Sequence, residues 1–202
     1  MSVRRGLARD GDIRPVVREW ISQQPLWRGA VLREELGLCN GEARADVAVI
    51  GAQLAGFEIK GPLDRLDRLP RQVAFYDRIF AQCWLVTTEA GWPAASALIS
   101  PWWGVLLAEG GRRPSALSLM RAAQPNPTLE PVALARLLWR HEVLAELGAM
   151  GRTGATRRLP RHRLWQILAE ALPVEELAAR VAQVVGARQR PAPASSADAP
   201  SE

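Results

Sequence analysis

The 202-residue chain contains very little lysine, cysteine and histidine. Lys60 is the only lysine among 26 basic residues, so arginine supplies every other basic side chain. The two cysteines, Cys39 and Cys83, are far apart and have no histidine at a metal-binding spacing, which excludes a disulfide framework and a zinc site. We therefore expect both cysteines to be buried as small apolar side chains.

The sequence also lacks a long apolar run. No stretch approaches the roughly 20 residues that span a bilayer, and no apolar segment of a secretory signal follows the basic start of the chain. We therefore expect a cytoplasmic protein that has no membrane partner. The net charge of +5 is compatible with a polyanionic partner, but an arginine-rich composition alone is weak support for one.

Apolar periodicity divides the first part of the chain into helices and strands. Pro25 ends the first helix, turn residues separate three consecutive strands, and Pro70 is well placed to open a second helix. The predicted elements are a helix from residue 13 to near Pro25, strands over 33–39, 44–52 and 57–61, a helix over 70–80, a strand over 82–88 and a hairpin over 101–123.

Beyond residue 125 the pattern becomes helical. A helix starting near Pro131 carries leucines at helical spacing on one face, namely Leu134, Leu137, Leu138, Leu144 and Leu147, and two more helices are predicted over 160–171 and 173–185. The Pro/Ala/Ser-rich residues 190–202 predict a disordered tail. We therefore divide the chain into an α/β domain (1–125), a basic helical extension (126–189) and the tail (190–202).

The lone lysine is part of a charged strand face. Residues two apart in a strand point to the same side, so Glu58 and Lys60 share a face while Phe57 and Ile59 point the other way. Asp46 begins the preceding strand, and the predicted hairpin would place it beside Glu58. Two carboxylates and one ammonium group are therefore expected to converge.

Such a cluster suits the hydrolysis of phosphodiester bonds. Two carboxylates and a backbone carbonyl, here that of Ile59, are oxygen ligands of the kind that Mg²⁺ prefers. The metal polarises a phosphoryl oxygen and lowers the pKa of a bound water. A lysine ammonium can then orient that water as a compact charge, whereas the planar guanidinium of arginine is a poor substitute, which gives a reason for the isolated lysine.

The order of these residues resembles a known superfamily. Asp46 followed by Glu58-Ile59-Lys60, within a helix-strand-strand-strand-helix-strand order over about residues 12–90, resembles the PD-(D/E)XK nucleases. Gln72 and Tyr76, one helical turn apart in "RQVAFY", resemble the Q-x-x-x-Y motif of the branch that includes RecB and lambda-exonuclease-type nucleases. The chain also resembles small uncharacterised bacterial members of that superfamily.

The resemblance implies a restriction-endonuclease-like mixed sheet flanked by helices. It implies that Asp46, Glu58 and the Ile59 carbonyl bind Mg²⁺ or Mn²⁺ and that Lys60 is the catalytic lysine. Members often add an acidic residue from the first helix or strand, which here would be Glu34 or Glu35, and Glu35 is favoured because it is nearer in sequence to Asp46. The motif name has proline where this chain has alanine before Asp46, and this departure lowers the specificity of the match.

The side chains of the Q-x-x-x-Y pair also have a purely structural interpretation. Tyr76 is the only tyrosine and is implied to position the catalytic site together with Gln72. Tyr76 could instead be an aromatic residue at the edge of the core whose hydroxyl finds one partner. Gln72 could likewise only cap or brace its helix.

A basic segment in the helical extension is a second candidate contact with nucleic acid. It has no acidic residue and contains Arg152, Arg157, Arg158, Arg161 and Arg163. Arginines bind phosphates through two hydrogen bonds, and a basic stripe gives affinity that is independent of sequence. A solvated loop is an equally good interpretation of this segment.

Two functions follow from these patterns. The first is a Mg²⁺-dependent deoxyribonuclease in which Asp46, Glu58, Lys60, Gln72 and Tyr76 form the catalytic site. The second is a catalytically inactive nucleic-acid-binding or assembly module that retains the nuclease fold. The complete set of acidic and basic residues favours the enzyme, because a binding module needs no buried carboxylates that repel phosphate. The sequence leaves open whether DNA or RNA is bound and whether ends or internal bonds are cut.

Overall fold

Six strands form one sheet, and their order in the sheet is their order in the chain. The computed structural model describes residues 10–111, 113–152 and 154–188. The strands are β1 (Val31–Leu38), β2 (Ala43–Ile50), β3 (Leu54–Ile59), β4 (Gln82–Thr87), β5 (Gly104–Glu109) and β6 (Ala116–Arg121). The pairs β1-β2, β2-β3 and β5-β6 are antiparallel, while β3-β4 and β4-β5 are parallel. The predicted mixed α/β sheet and its three consecutive strands are confirmed.

Helices lie on both sides of the sheet and make up the C-terminal region, as predicted. They are α1 (Asp10–Gln23), α2 (Leu69–Ile79), α3 (Trp92–Ser96), α4 (Pro131–Ala135), α5 (Arg140–Ala149), α6 (Arg161–Ala171) and α7 (Val174–Ala187). In the part of the chain that the structure describes, no helix is long and apolar enough to cross a membrane. The predicted disordered tail lies outside the described residues.

The predicted helix from Pro131 through Leu147 is wrong in one respect, because two helices occupy this range. The chain leaves the helical conformation before α5, at Trp139, whose ψ is 159°. There the Trp139 N–H donates to the Glu142 carboxylate at 2.6 Å, and this contact caps the start of α5. The signal that separates the two helices is therefore Glu142, a capping carboxylate three residues after Trp139 within the leucine-rich stripe.

One face of the sheet packs on α1. Every position of β3 is buried, and Phe57 and Ile59 point to this face. The buried stripe of α1 consists of Ile13, Val17 and Ile21, which recur at helical spacing and contact the sheet through the same apolar cluster. The two faces of β3 are thereby separated, with apolar residues toward α1 and Glu58 toward α2.

The opposite face packs on α2 and the C-terminal helices. Residues of α4, α5, α6 and α7 share one apolar cluster with α2 and with this face of the sheet. Both cysteines, Cys39 and Cys83, are free and buried in that cluster, as predicted. Burial raises the pKa of the Cys83 thiol well above its usual range, which keeps the thiol protonated and unreactive. The C-terminal helices therefore help to hold α2 against the sheet.

Gly56 of β3 packs directly against the ring of Phe80, which follows α2. A Cβ at this position would overlap that buried ring. We expect Gly56→Ala to lower the free energy of unfolding by about 1–3 kcal/mol, because the core cannot admit an added methyl group without displacing that ring. Gly37→Ala in β1 is the control, since no other described residue outside its two chain neighbours comes within 4 Å of the added Cβ. Equal losses in chemical denaturation of the two variants would contradict this prediction.

Candidate functional site

Asp46 and Glu58 meet at one end of the β2-β3 pair. The register places Val47 opposite Phe57, so the next positions along the two strands put Asp46 across from Glu58. Asp46 Oδ2 accepts a hydrogen bond from the Ile59 N–H at 2.8 Å, which fixes the carboxylate at the end of β3. The structure thus brings together the two carboxylates that the hairpin pattern placed side by side.

Glu58 is the most deeply buried charged side chain of the site, with 0% of its surface exposed. Its Oε1 accepts from Lys60 Nζ at 2.6 Å, and its Oε2 accepts from the Tyr76 hydroxyl at 2.9 Å. A buried carboxylate needs such partners, because the loss of its hydration is otherwise very costly. Lys60 is itself only 12% exposed, so the lone lysine belongs to the interior of the site and not to the protein surface.

Burial raises the pKa values of Asp46, Glu58 and Tyr76. Desolvation, followed by the charge of Glu58, raises the pKa of Asp46 to about 7. Desolvation also raises the pKa of Glu58, although the Lys60 charge and hydrogen bonds from Lys60, Tyr76 and Gln72 oppose it. Burial raises the pKa of Tyr76 well above its usual range, so its hydroxyl stays a donor. Two neighbouring carboxylates with raised pKa values, one of which lines a cleft, are typical of functional sites.

Tyr76 combines both roles that its position in α2 allows. Its ring is fully buried and contacts Phe80 and Trp103, with ring centroids 4.9 and 5.3 Å away. Its hydroxyl reaches Glu58 and lies 3.1 Å from the carbonyl oxygen of Phe57. The side chain is therefore a core aromatic residue that also holds Glu58 in place.

We expect Tyr76→Phe to lower the free energy of unfolding by about 1–3 kcal/mol, because buried Glu58 would lose a hydrogen-bond donor. The ring and its packing are retained in this variant, so the loss isolates the hydroxyl. Denaturant titration of both proteins measures it. Unchanged stability would mean that the hydroxyl does not support the Glu58 carboxylate.

Asp46 opens onto two cavities that meet at the start of α2. The first has a volume of about 470 Å³ and is lined by Asp10, Asp46, Ile59, Lys60, Leu63, Asp64, Arg65, Arg68 and Gln72. The second has a volume of about 300 Å³ and is lined by Glu42, Ala43, Arg44, Asp46, Arg68, Arg71 and Gln72. Gln72 lines both, and its Oε1 is buried without a hydrogen-bond partner among the described residues. The site is therefore an open cleft with basic side chains at its rim.

The structure places Glu34 and Glu35 in ion pairs with arginines. Glu35 contacts Arg14 at 2.8 Å and Arg44 at 2.5 Å, so both of its carboxylate oxygens are engaged. Glu34 pairs with Arg18 at 3.0 Å. Metal binding by either glutamate would require these pairs to break, and the assignment of Glu35 to a metal stays a prediction.

Asp10 is an acidic residue of the cleft that sequence reasoning missed. It begins α1 and lines the first cavity together with Asp46. Its Oδ2 pairs with Arg14 at 2.6 Å, whereas its Oδ1 is buried and has no hydrogen-bond partner among the residues that the structure describes. Arg14 also donates to the Asp46 carbonyl oxygen at 3.1 Å and so joins α1 to β2. The sequence signal was the acidic first turn of a helix, which is common in helices of every function.

The predicted basic segment lies between α5 and the start of α6. Its five arginines, Arg152, Arg157, Arg158, Arg161 and Arg163, are all exposed. The Arg140 guanidinium donates to the backbone carbonyls of Arg157 and Leu159 and thereby fixes the path of this segment.

One chain of contacts joins the basic segment to the second cavity. The guanidinium groups of Arg161 and Arg136 lie 5.6 and 5.8 Å from the centre of the Trp165 ring, and Arg136 pairs with Glu42 of that cavity. The start of α6 is therefore connected to the second cavity through Trp165 and Arg136, although no described residue of α6 lines that cavity.

The candidate metal ligands at the cleft are oxygen atoms, which suit a hard divalent cation. Asp46 and Ile59 line the cleft, and Glu58 is buried beside Asp46. Their carboxylates and the Ile59 carbonyl are oxygen ligands, which Mg²⁺ and Mn²⁺ prefer. Within the described ranges no group of three or more His, Cys, Asp and Glu side chains is close enough to hold a metal. A cation would therefore depend on two carboxylates completed by a backbone carbonyl and water.

Comparison with known proteins gives a family. The family described as "Bacteriophage P4 protein cII" matches residues 7–193, and the chain belongs to it. Protein cII of Enterobacteria phage P4 is 29% identical over 80 residues, which are 40% of this chain and 30% of that protein, so the match spans under a third of the curated relative. A protein of unknown function from Silicibacter pomeroyi is 20% identical, with a TM-score of 0.40 over 81% of this chain and 94% of its own.

Proposed function

We propose that this member of the phage P4 protein cII family is a divalent-metal-dependent nuclease that hydrolyses phosphodiester bonds in cytoplasmic DNA. The observation that carries the proposal is the contact of Lys60 Nζ with buried Glu58 at 2.6 Å, beside Asp46 at the floor of an open cleft. A structural ion pair needs no second carboxylate next to it. Two neighbouring carboxylates whose pKa values are both raised are instead expected where a cation binds.

The order of elements supports a restriction-endonuclease-like core. The antiparallel strands β1, β2 and β3 are followed by α2 and by β4, which is parallel to β3. This is the order in which the resemblance places its acidic and lysine residues. Asp46 is in β2, Glu58 is in β3, and Lys60 directly follows β3.

Each side chain of the site has a distinct task in this proposal. Asp46, Glu58 and the Ile59 carbonyl would hold Mg²⁺ or Mn²⁺, which supplies Lewis acidity toward the scissile phosphate and acidifies the attacking water. The Lys60 ammonium orients that water and offsets negative charge that develops during the reaction. Tyr76 and Gln72 hold Glu58 from the α2 side, which keeps its carboxylate preorganised.

One observation favours the alternative of an inactive nucleic-acid-binding or assembly module. Glu58 is completely buried, and both of its oxygens already have protein partners. A site that has lost its cation would be expected to close in this way. Binding by such a module would depend on the exposed arginines and not on Asp46 or Glu58.

Metal binding separates the two functions even before a substrate is identified. We expect Mn²⁺ or Mg²⁺ to raise the melting temperature of the wild-type protein, because a ligand that binds only the folded state stabilises it. Glu58→Gln should lose this response, whereas Glu19→Gln, which removes an exposed carboxylate of α1, should keep it. Cleavage of single-stranded and duplex DNA and of RNA is then assayed with the same proteins. Metal-independent melting together with tight DNA binding would favour the inactive module.

A further inference from the structure

The two cavities at Asp46 extend in different directions from the same three residues. Asp46, Arg68 and Gln72 line both cavities. The first continues along the end of β3 and the loop before α2, and the second continues along the start of β2 and the first turns of α2. Asp46 therefore lies between two open spaces and not at the closed end of one.

Arg68 differs from the other arginines at the rim of these cavities. Arg44 pairs with Glu35, Arg65 pairs with Asp67, and Arg71 lies against the Phe75 ring. Arg68 has no ion pair or side-chain hydrogen bond among the residues that the structure describes. A guanidinium at the junction of two cavities with no anionic partner of its own is well placed to bind an external anion.

We infer that the two cavities form one groove for a single nucleic-acid strand, with Arg68 bound to a phosphate next to the one at Asp46. The position of the scissile phosphate rests on the proposed function, whereas the phosphate contact of Arg68 does not. Each cavity is near the lower end of the roughly 300–1,000 Å³ typical of small-ligand pockets. That size suits one or two nucleotides. A duplex is wider than its major groove, which alone measures about 12 Å, so neither cavity can enclose one.

A groove that is open on both sides of Asp46 determines which bonds can be cut. A strand that enters through one cavity leaves through the other, so no strand end is needed at the site. The substrate class is accordingly a single strand cut at internal phosphodiester bonds. The basic rim of the second cavity, with Arg44 and Arg71, holds the strand by charge and not by base identity.

The phosphate contact is tested by binding alone. All variants carry Asp46→Asn so that no cleavage occurs, and the probe is a labelled single-stranded DNA of about 16 nucleotides. Arg68→Ala is expected to weaken binding about 10-fold and to reduce the slope of log Kd against log salt by about 0.7. The matched control is Arg28→Ala, because Arg28 is exposed and lies near the opposite end of the sheet, before β1. Equal affinities and slopes for these two variants would overturn the inference.

The open groove is tested by substrate topology with the wild-type protein and Mn²⁺. Cleavage of covalently closed circular single-stranded DNA at a rate similar to that of the linear form is expected. Cleavage of the linear form alone would contradict a groove that is open on both sides of Asp46. If neither form is cut, the proposed function fails, and the binding comparison still decides the role of Arg68.

The double variant Arg157→Ala/Arg158→Ala, measured in the same salt titration, tests the predicted basic segment separately.

Discussion

Asp46→Asn is expected to abolish metal-dependent cleavage, since the amide removes the negative charge of one of two carboxylate ligands. The same change should leave the local structure intact, because an amide oxygen can still accept the hydrogen bond from the Ile59 N–H. Without the Asp46 carboxylate, a cation would have only the Glu58 carboxylate, the Ile59 carbonyl and water as ligands. We expect cleavage to fall by at least about 10³-fold, as for the removal of a main catalytic group.

In the metal-free protein, Asp46→Asn should be favourable, because it should raise the free energy of unfolding at high pH. Burial and Glu58 raise the folded-state pKa of Asp46 to about 7, above the ordinary aspartate value of the unfolded chain. The protonated carboxyl therefore contributes stability that is present at low pH and is lost as the pH rises through about 7. Asp46→Asn cannot lose this contribution, so it should be more stable than the wild-type protein by about 2–4 kcal/mol near pH 9, and equal to it near pH 4.

Denaturant titrations of the metal-free proteins across this pH range measure the difference. Glu19→Gln controls for the removal of a negative charge, because Glu19 is exposed on α1. A constant gap between wild type and Asp46→Asn at all pH values would show that the Asp46 carboxyl is not the titrating group. Wild-type rates of cleavage by Asp46→Asn would separately exclude it as a metal ligand.

The core of this site was predictable because its signals are local. Alternation along β3 assigned Glu58 and Lys60 to one face and Phe57 to the other, and the structure has this arrangement. The turn between β2 and β3 placed Asp46 across from Glu58. The positions of Asp46, Glu58 and Lys60 needed only the geometry of one hairpin. Tyr76 was assigned to the site by its resemblance to the Q-x-x-x-Y motif and not by local geometry.

The remaining parts of the cleft depend on contacts between distant segments. Asp10 reaches the cleft because α1 crosses the sheet and Arg14 joins it to β2, and no local pattern gives that crossing. Glu35 adopts a φ of 55°, which is unusual for a residue other than glycine, and this conformation accompanies its two ion pairs. Arg68 differs from Arg44 and Arg65 in having no ion pair in the part of the chain that the structure describes. Such properties become visible only when all the neighbours of a side chain are known.

Lys60→Arg is expected to lower the rate of cleavage by about 10²–10³-fold while leaving nucleic-acid binding nearly unchanged. The Lys60 ammonium lies 2.6 Å from Glu58 Oε1 in a space where the side chain is only 12% exposed. The planar guanidinium is larger and directs its donors along a fixed fork, so it would displace the water that the ammonium orients. In a chain whose other basic residues are all arginines, the exchange would be silent if only positive charge were needed.

Single-turnover cleavage and equilibrium binding of wild type and Lys60→Arg separate chemistry from affinity. The reverse exchange at an exposed position, Arg28→Lys, is the control and should leave both quantities unchanged. Thermal unfolding of Lys60→Arg checks that the larger side chain has not disrupted the core around Glu58. Near-equal rates of cleavage would reduce Lys60 to the structural partner of a buried carboxylate. A loss of rate with retained binding and stability would place the lone lysine at the reacting phosphate, where a mobile ammonium can move from Glu58 to the charge that develops there.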